Sequence, residues 1–170
     1  MDFKENLKEY QEIVNNELQK YVRKEKCPEE ILNNSMEYSL MAGGKRLRPI
    51  LAIATYQLFK SDYEKVMPYA MALEMVHNFS LIHDDLPGID NDDFRHGKPT
   101  NHKQFNEATA ILAGDGLLNC AFMVISDDLA GRLFDPGFNV LHYLKRVLEA
   151  GIVARDYRKV GKGPLTSPIS

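Results

Sequence analysis

Cysteine is scarce in this sequence, and the scarcity excludes a disulfide-stapled fold. Cys27 and Cys120 are the only two in 170 residues, too few and too scattered for a disulfide framework. That usage suits a reducing compartment, and a cytoplasmic location is expected. A strong excess of one charge is also missing. The net charge is −3, so the basic surface that a nucleic acid would require is not expected. No uninterrupted apolar run reaches the ~18 residues of a membrane span. The opening Met1-Asp2-Phe3-Lys4-Glu5 lacks the basic-then-apolar order of a signal peptide. The alternation of a half-buried strand is absent as well, and no segment repeats. What remains, 44% hydrophobic and 26% charged residues, is the composition of an ordinary globular domain with a core of its own.

The periodicity that is present is helical. Phe3, Leu7, Tyr10, Val14, Leu18 and Tyr21 recur at spacings of three and four, the stripe of an amphipathic first helix. Pro28-Glu29-Glu30 opens a second, which runs to Ala42 and stops at Gly43-Gly44. Pro49 opens a third, with Ile50, Leu51, Ile53, Ala54 and Leu58 inward and its end at Lys60-Ser61-Asp62. A fourth runs from Tyr63 or Pro68 to Leu86, a loop follows from Pro87 to Lys103, and a fifth helix covers Phe105 to Ile125. Short connections between amphipathic helices predict an all-α, antiparallel bundle. Met67, Met71 and Met75 repeat at four-residue spacing as core filling. Gly114 and Gly116 interrupt the fifth helix. Each costs about 1 kcal/mol there, so close helix packing is expected around them. Asp127-Asp128 with Gly131 and Asp135-Pro136-Gly137 reads as a helix end and turn. A further helix is expected over Asn139 to Val153, and a disordered Gly/Pro/Ser-rich tail from Val160.

Chemistry concentrates in two places. Asp84, Asp85, Asp90, Asp92 and Asp93 crowd five carboxylates into ten residues, just before Arg95 and Lys98. Like charges this close resist burial unless something positive joins them. Oxygen ligands without nearby cysteine favour a hard ion such as Mg²⁺, which takes one or two carboxylates and completes its shell with water and phosphate. Asp84 and Asp85 end an apolar helix, where the macrodipole disfavours negative charge. The break at Pro87-Gly88 allows Asp90 to return towards Asp84. The second place is Gly43-Gly44-Lys45-Arg46-Leu47-Arg48-Pro49. Its three cations are expected on a short exposed connection, where Arg and Lys can hold phosphate oxygens. It is not a P-loop, because Gly-Lys is not followed by Ser or Thr. An EF-hand is excluded too, since its glycine and terminal glutamate are absent.

GGKRLRP followed by HNFSLIHDDLPGIDNDDFRHGKPTNHKQFNEATAILAGDGLLNCAF resembles the trans-polyprenyl diphosphate synthases, the farnesyl and geranylgeranyl diphosphate synthases among them. The resemblance covers about Met1 to Phe122 and implies the antiparallel helical bundle of the isoprenoid synthases, incomplete at the C-terminus. Residues 1–125 then form the N-terminal part of a polyprenyl synthase domain, and 126–170 a divergent segment. The implied activity is a head-to-tail prenyl transfer: an allylic diphosphate loses pyrophosphate with Mg²⁺ assistance, the double bond of isopentenyl diphosphate attacks the resulting cation, and a proton is then lost. By this resemblance Asp84, Asp85, Asp90 and Arg95 are the catalytic residues. Asp84 and Asp90 are the direct Mg²⁺ ligands, and Arg95 grips the allylic diphosphate. Lys45, Arg48 and His77 match the contacts of isopentenyl diphosphate. Phe79, five residues before Asp84, stands where bulk limits product length and implies a short, farnesyl-like product. A homodimer is also implied.

Two departures from the family pattern matter. Relatives carry a second aspartate-rich motif downstream, and Asp127-Asp128 matches neither its spacing nor its position. Much reduced turnover by this chain alone is therefore expected, and a non-catalytic diphosphate-binding partner of a full-length synthase is the alternative. A terpene cyclase fits less well, because GGKRLRP serves a second diphosphate that a cyclase does not use. The other departure is His96, where many relatives have a second arginine for isopentenyl diphosphate. An imidazole carries no fixed charge. Apparent substrate affinity followed across pH 5.5–8 should therefore show a step, and a flat profile would remove this role for His96.

Overall fold

The computed structural model of the protein describes residues 3–24 and 28–132. Within it α4 (Met67–Asp84) is the helix that the others surround. Its sequence explains the position. MPYAMALEMVHNFSLIHD carries one internal carboxylate, Glu74, before its last residue. Buried residues fall on all sides of it, from Met67, Tyr69, Ala70 and Met71 to Leu81 and Ile82. A helix that is apolar all round belongs in a core. The methionine stripe is core, as its spacing predicts: Met67, Met71 and Met75 are all buried.

Around α4 stand α1 (Phe3–Lys24), α2 (Glu30–Leu40), α3 (Leu47–Gln57) and α6 (Glu107–Arg132), with a 3-10 turn at Tyr63–Lys65 leading into α4. The first helix buries Val14 and Leu18, with Leu7, Tyr10, Ile13 and Tyr21 packed beside them, which is the stripe its periodicity predicts. Burying each such side chain contributes about 1.5–3 kcal/mol. α6 lies along α4 through Ala110, Ala113, Leu117, Ala121 and Val124. By length and composition alone, Glu107–Ala130 is also apolar enough to cross a membrane, although no uninterrupted apolar run announces it. Here one face of it is buried against its neighbours.

Several expectations need correction. α3 turns Pro49, Ile50 and Ile53 inward, whereas Leu51 and Leu58 are 64% and 78% exposed. At 100° per residue these two leucines lie about 120° round the axis from the mean direction of Ile50 and Ile53. Asp127 and Asp128 lie inside α6, not at its end. The helix continues because Val124, Ile125 and Leu129 keep packing, and the Tyr69 hydroxyl donates to Asp128 at 2.8 Å. The 87–103 segment is not wholly irregular. Phe94–Arg95 (β1) pairs antiparallel with Lys98–Pro99 (β2), and Asn101–Gln104 forms α5. Two residues, His96 and Gly97, close the hairpin with φ of 52° and 77°, the double positive φ of a type I′ turn. The expected helix at 139–153 and the expected tail from 160 lie outside the described residues.

Polar joints fix this frame. Asn101 of α5 accepts from Ser35 at 2.8 Å and donates to the Ser35 carbonyl and to Ser39 Oγ. The glycines of α6 have the packing role expected of them. A Cβ on Gly116 would meet Met36 Sδ at 2.6 Å, and one on Gly114 would enter the His83 imidazole. That ring sits 3.0 Å from the Ile111 carbonyl, through Nε2. Gly114→Ala gains about 1 kcal/mol of helix propensity. It should nonetheless lose about 1–2 kcal/mol net, because overpacking and the broken His83 bond outweigh that gain. Urea unfolding checks this, and a variant more stable than the parent would refute it.

Candidate functional site at the C-terminal end of α4

α4 ends at Asp84, with Asp85 as its C-cap. Pro87 and Gly88 then turn the chain back. The Ile89 and Asn91 amides donate to the Leu86 carbonyl, and the Asp90 amide donates to the Asp84 carbonyl at 2.9 Å. The break thus returns Asp90 to Asp84. Asp84 is half-buried, while Asp90, Asp92 and Asp93 are exposed.

Asp85 behaves differently from its neighbours. Its side chain is 4% exposed, and both carboxylate oxygens are taken by one guanidinium. Arg95 Nε donates to Oδ2 at 2.8 Å, and Nη2 donates to Oδ1. The Arg95 guanidinium is held above its ordinary pKa chiefly by that hydrogen bond, with Asp92 and Asp84 adding to it, although burial works the other way. Such fork-to-carboxylate pairing is among the strongest polar contacts available. It explains how a carboxylate tolerates both burial and a helix C-terminus.

Asp85, Arg95 and His96 line one cleft together with Tyr38, Ser39 and Asn78. Residue order alone announces little of the last three. Asn78 is a buried amide in an apolar helix and donates to the Glu74 carbonyl at 2.9 Å; its polarity there was the available signal. Tyr38 holds the hairpin by donating to the Pro99 carbonyl at 2.8 Å, with Lys98 6.0 Å above its ring. Asp84, Asp90, Lys45, Arg48, His77 and Phe79 are not among the residues lining this cleft. Phe79 is half-buried and meets His83 edge-to-face at 4.7 Å.

The basic turn comes to the same region. Gly43 and Gly44 take φ of 110° and 113°, which side chains rarely adopt. A Cβ on Gly44 would stand 3.7 Å from His96 Nε2, so the turn abuts the hairpin tip. Lys45 is exposed and Arg48 half-buried. Arg46 is not exposed, contrary to the reading of three cations on an open connection. It is 3% accessible, because its guanidinium finds Glu74, Asn15 and a backbone carbonyl inside.

Among the described residues no three His, Cys, Asp or Glu side chains cluster as a self-sufficient metal site. Asp85 is engaged by Arg95, and Asp84 and Asp90 beside it are joined through their backbones. A pair of carboxylates suits Mg²⁺, whose other positions are commonly completed by water and phosphate.

Beyond the cleft, Lys103 Nζ lies 2.9 Å from Asp93 Oδ1. That hydrogen bond, with the lysine charge, holds the Asp93 carboxyl below its ordinary value. The stabilisation is complete above the unfolded-state value of about 3.9 and is lost as pH falls through the lower folded value. A carboxyl NMR titration should place the Asp93 midpoint below 3.8, and Lys103→Met should return it to the ordinary range. An unmoved midpoint in that variant would refute the tether.

Residues 29–151 match the sequence model of the polyprenyl synthetase family, described as "Polyprenyl synthetase". The match extends beyond residue 122, past the end of the motif resemblance. The chain is 51% identical over 121 residues to a farnesyl diphosphate synthase of Geobacillus stearothermophilus, covering 71% of this chain and 40% of that protein. It is 56% identical over 100 residues to a chloroplastic geranylgeranyl pyrophosphate synthase of Catharanthus roseus, covering 59% of this chain and 28% of that one. In three dimensions it resembles a geranyltransferase from Legionella pneumophila, with a TM-score of 0.75, 39% identity and coverage of 81% and 48%. The chain spans less than half the length of these relatives. The all-α bundle is that of the isoprenoid synthases, and the chain belongs to the polyprenyl synthetase family.

Proposed function

We propose that the protein is a prenyltransferase that condenses an allylic diphosphate with isopentenyl diphosphate, in the manner of short-chain farnesyl and geranylgeranyl diphosphate synthases. The observation that carries this reading is the juxtaposition at the end of α4: the Asp85–Arg95 fork, the returning Asp84/Asp90 turn and the Gly44–His96 contact share one region. Asp84 and Asp90 would hold Mg²⁺. When bound, that ion supplies charge neutralisation for a departing pyrophosphate. Arg95, fixed by Asp85, grips the allylic diphosphate without reorganising as charge develops. Lys45, Arg48, His77 and His96 serve the isopentenyl diphosphate. Phe79 sets the depth available to the growing chain, and the apolar walls of α4 and α6 keep water from the cation.

Leu51, Leu58, Phe59, Leu112 and Phe122 are exposed. A partner would cover such side chains, and a homodimer in the cytoplasm is the assembly proposed.

Calorimetric titration with geranyl diphosphate tests the site. Binding should require Mg²⁺, and Asp84→Ala or Asp90→Ala should weaken it at least about 100-fold, more than loss of an outer contact would. Asp85→Asn should weaken binding about 10–100-fold yet keep the Mg²⁺ requirement, since it acts through Arg95. Binding indifferent to Mg²⁺, or none at all, would sink the proposal.

A further inference from the structure

Arg46 is the one cation of the 43–49 turn for which the proposed chemistry has no use. Its side chain is 1% exposed and that of Glu74 5% exposed. Each of the three guanidinium nitrogens already donates inside the protein. Nε donates to Asn15 Oδ1 at 2.9 Å, Nη1 to Glu74 Oε1 at 2.8 Å, and Nη2 to the Leu40 carbonyl at 2.6 Å. These partners belong to α1, α4 and the last residue of α2. Beside them Gln11 of α1 donates to the Lys45 carbonyl at 3.1 Å. The backbone so held is unusual: Arg46 is left-handed, with φ of 52°, where non-glycine residues are uncommon.

Two ordinary explanations fail. Substrate contact is excluded by burial and by the three occupied nitrogens. Stability alone is a weak reason, since apolar residues of similar volume often replace a buried ion pair without loss. What the fork supplies is position. It ties α1, α2 and α4 to one residue of the turn. Glu74 also neutralises its charge inside the protein. The same Glu74 receives Asn78 through its carbonyl, and Asn78 lines the cleft. The clamp is therefore continuous with the cleft wall.

We propose that Arg46, clamped by Glu74, Asn15 and the Leu40 carbonyl, is a positioning residue that presents Lys45 and Arg48 to the isopentenyl diphosphate. This rests on the prenyltransferase reading above. The test is titration of the full chain with isopentenyl diphosphate and, separately, with geranyl diphosphate plus Mg²⁺. The Arg46→Met/Glu74→Leu double variant should fold, lose about tenfold or more in affinity for isopentenyl diphosphate, and keep its geranyl diphosphate affinity, because displacements of about 1 Å suffice for such losses. Amides 43–48 should exchange faster with deuterium. Arg46→Lys, which keeps the charge but not the fork, should not restore the affinity. Asn15→Ala removes one arm and leaves the ion pair intact. It should show a smaller loss of the same selectivity even if the double variant does not fold. Unchanged isopentenyl diphosphate affinity in folded variants, or equal loss for both ligands, would overturn the positioning role while the prenyltransferase reading stands. A parent chain that binds neither diphosphate would overturn both.

Discussion

A carboxylate buried at the C-terminal end of an apolar helix is the constraint on which this arrangement depends. Asp85 faces both desolvation and an unfavourable macrodipole. It persists because Arg95, ten residues later, returns to occupy both its oxygens. That demand shapes the intervening chain. Pro87-Gly88 must turn, Asp90 must come back to Asp84, and the strand bearing Arg95 must be held in place, which the two-residue ladder and Tyr38 accomplish. The hairpin tip then falls beside Gly44 and joins the two basic and acidic segments.

The same device appears twice. Arg95 holds Asp85, the C-cap of α4, through two nitrogens, and Arg46 reaches Glu74 of α4 through one nitrogen while its other two meet Asn15 and the Leu40 carbonyl. In each case a loop residue is tied to the central helix by a planar group whose donors are fixed in direction. A lysine would supply charge without that direction. The two loops so tied carry Lys45 and Arg48 in one case and Arg95 and His96 in the other.

Much of this was readable from residue order. Val14, Leu18 and the methionines of α4 are core because their spacing says so. Gly114 and Gly116 signal close packing because nothing else justifies two glycines in one helix. Other features were not readable. Leu51 and Leu58 look as apolar as Ile50 and Ile53, and only the packing of α3 separates them. Arg46 sits between Lys45 and Arg48 in a run that reads as three equivalent cations. Its burial follows from Glu74 and Asn15, distant in sequence. Asp127-Asp128 read as a helix end, yet Tyr69 and the packed residues around it carry α6 past them.

The sequence by itself determined that the chain is helical, where the apolar faces lie, and that acids and bases gather in two short segments with the family's motifs. Those properties reside in spacing and residue type, which are local. Tertiary structure alone decided which charges are spent inside the protein, as Arg46, Glu74, Asp85 and Arg95 are. That choice depends on partners far apart in sequence meeting in a low-dielectric interior, where an unpaired charge is not tolerated and a paired one becomes part of the frame.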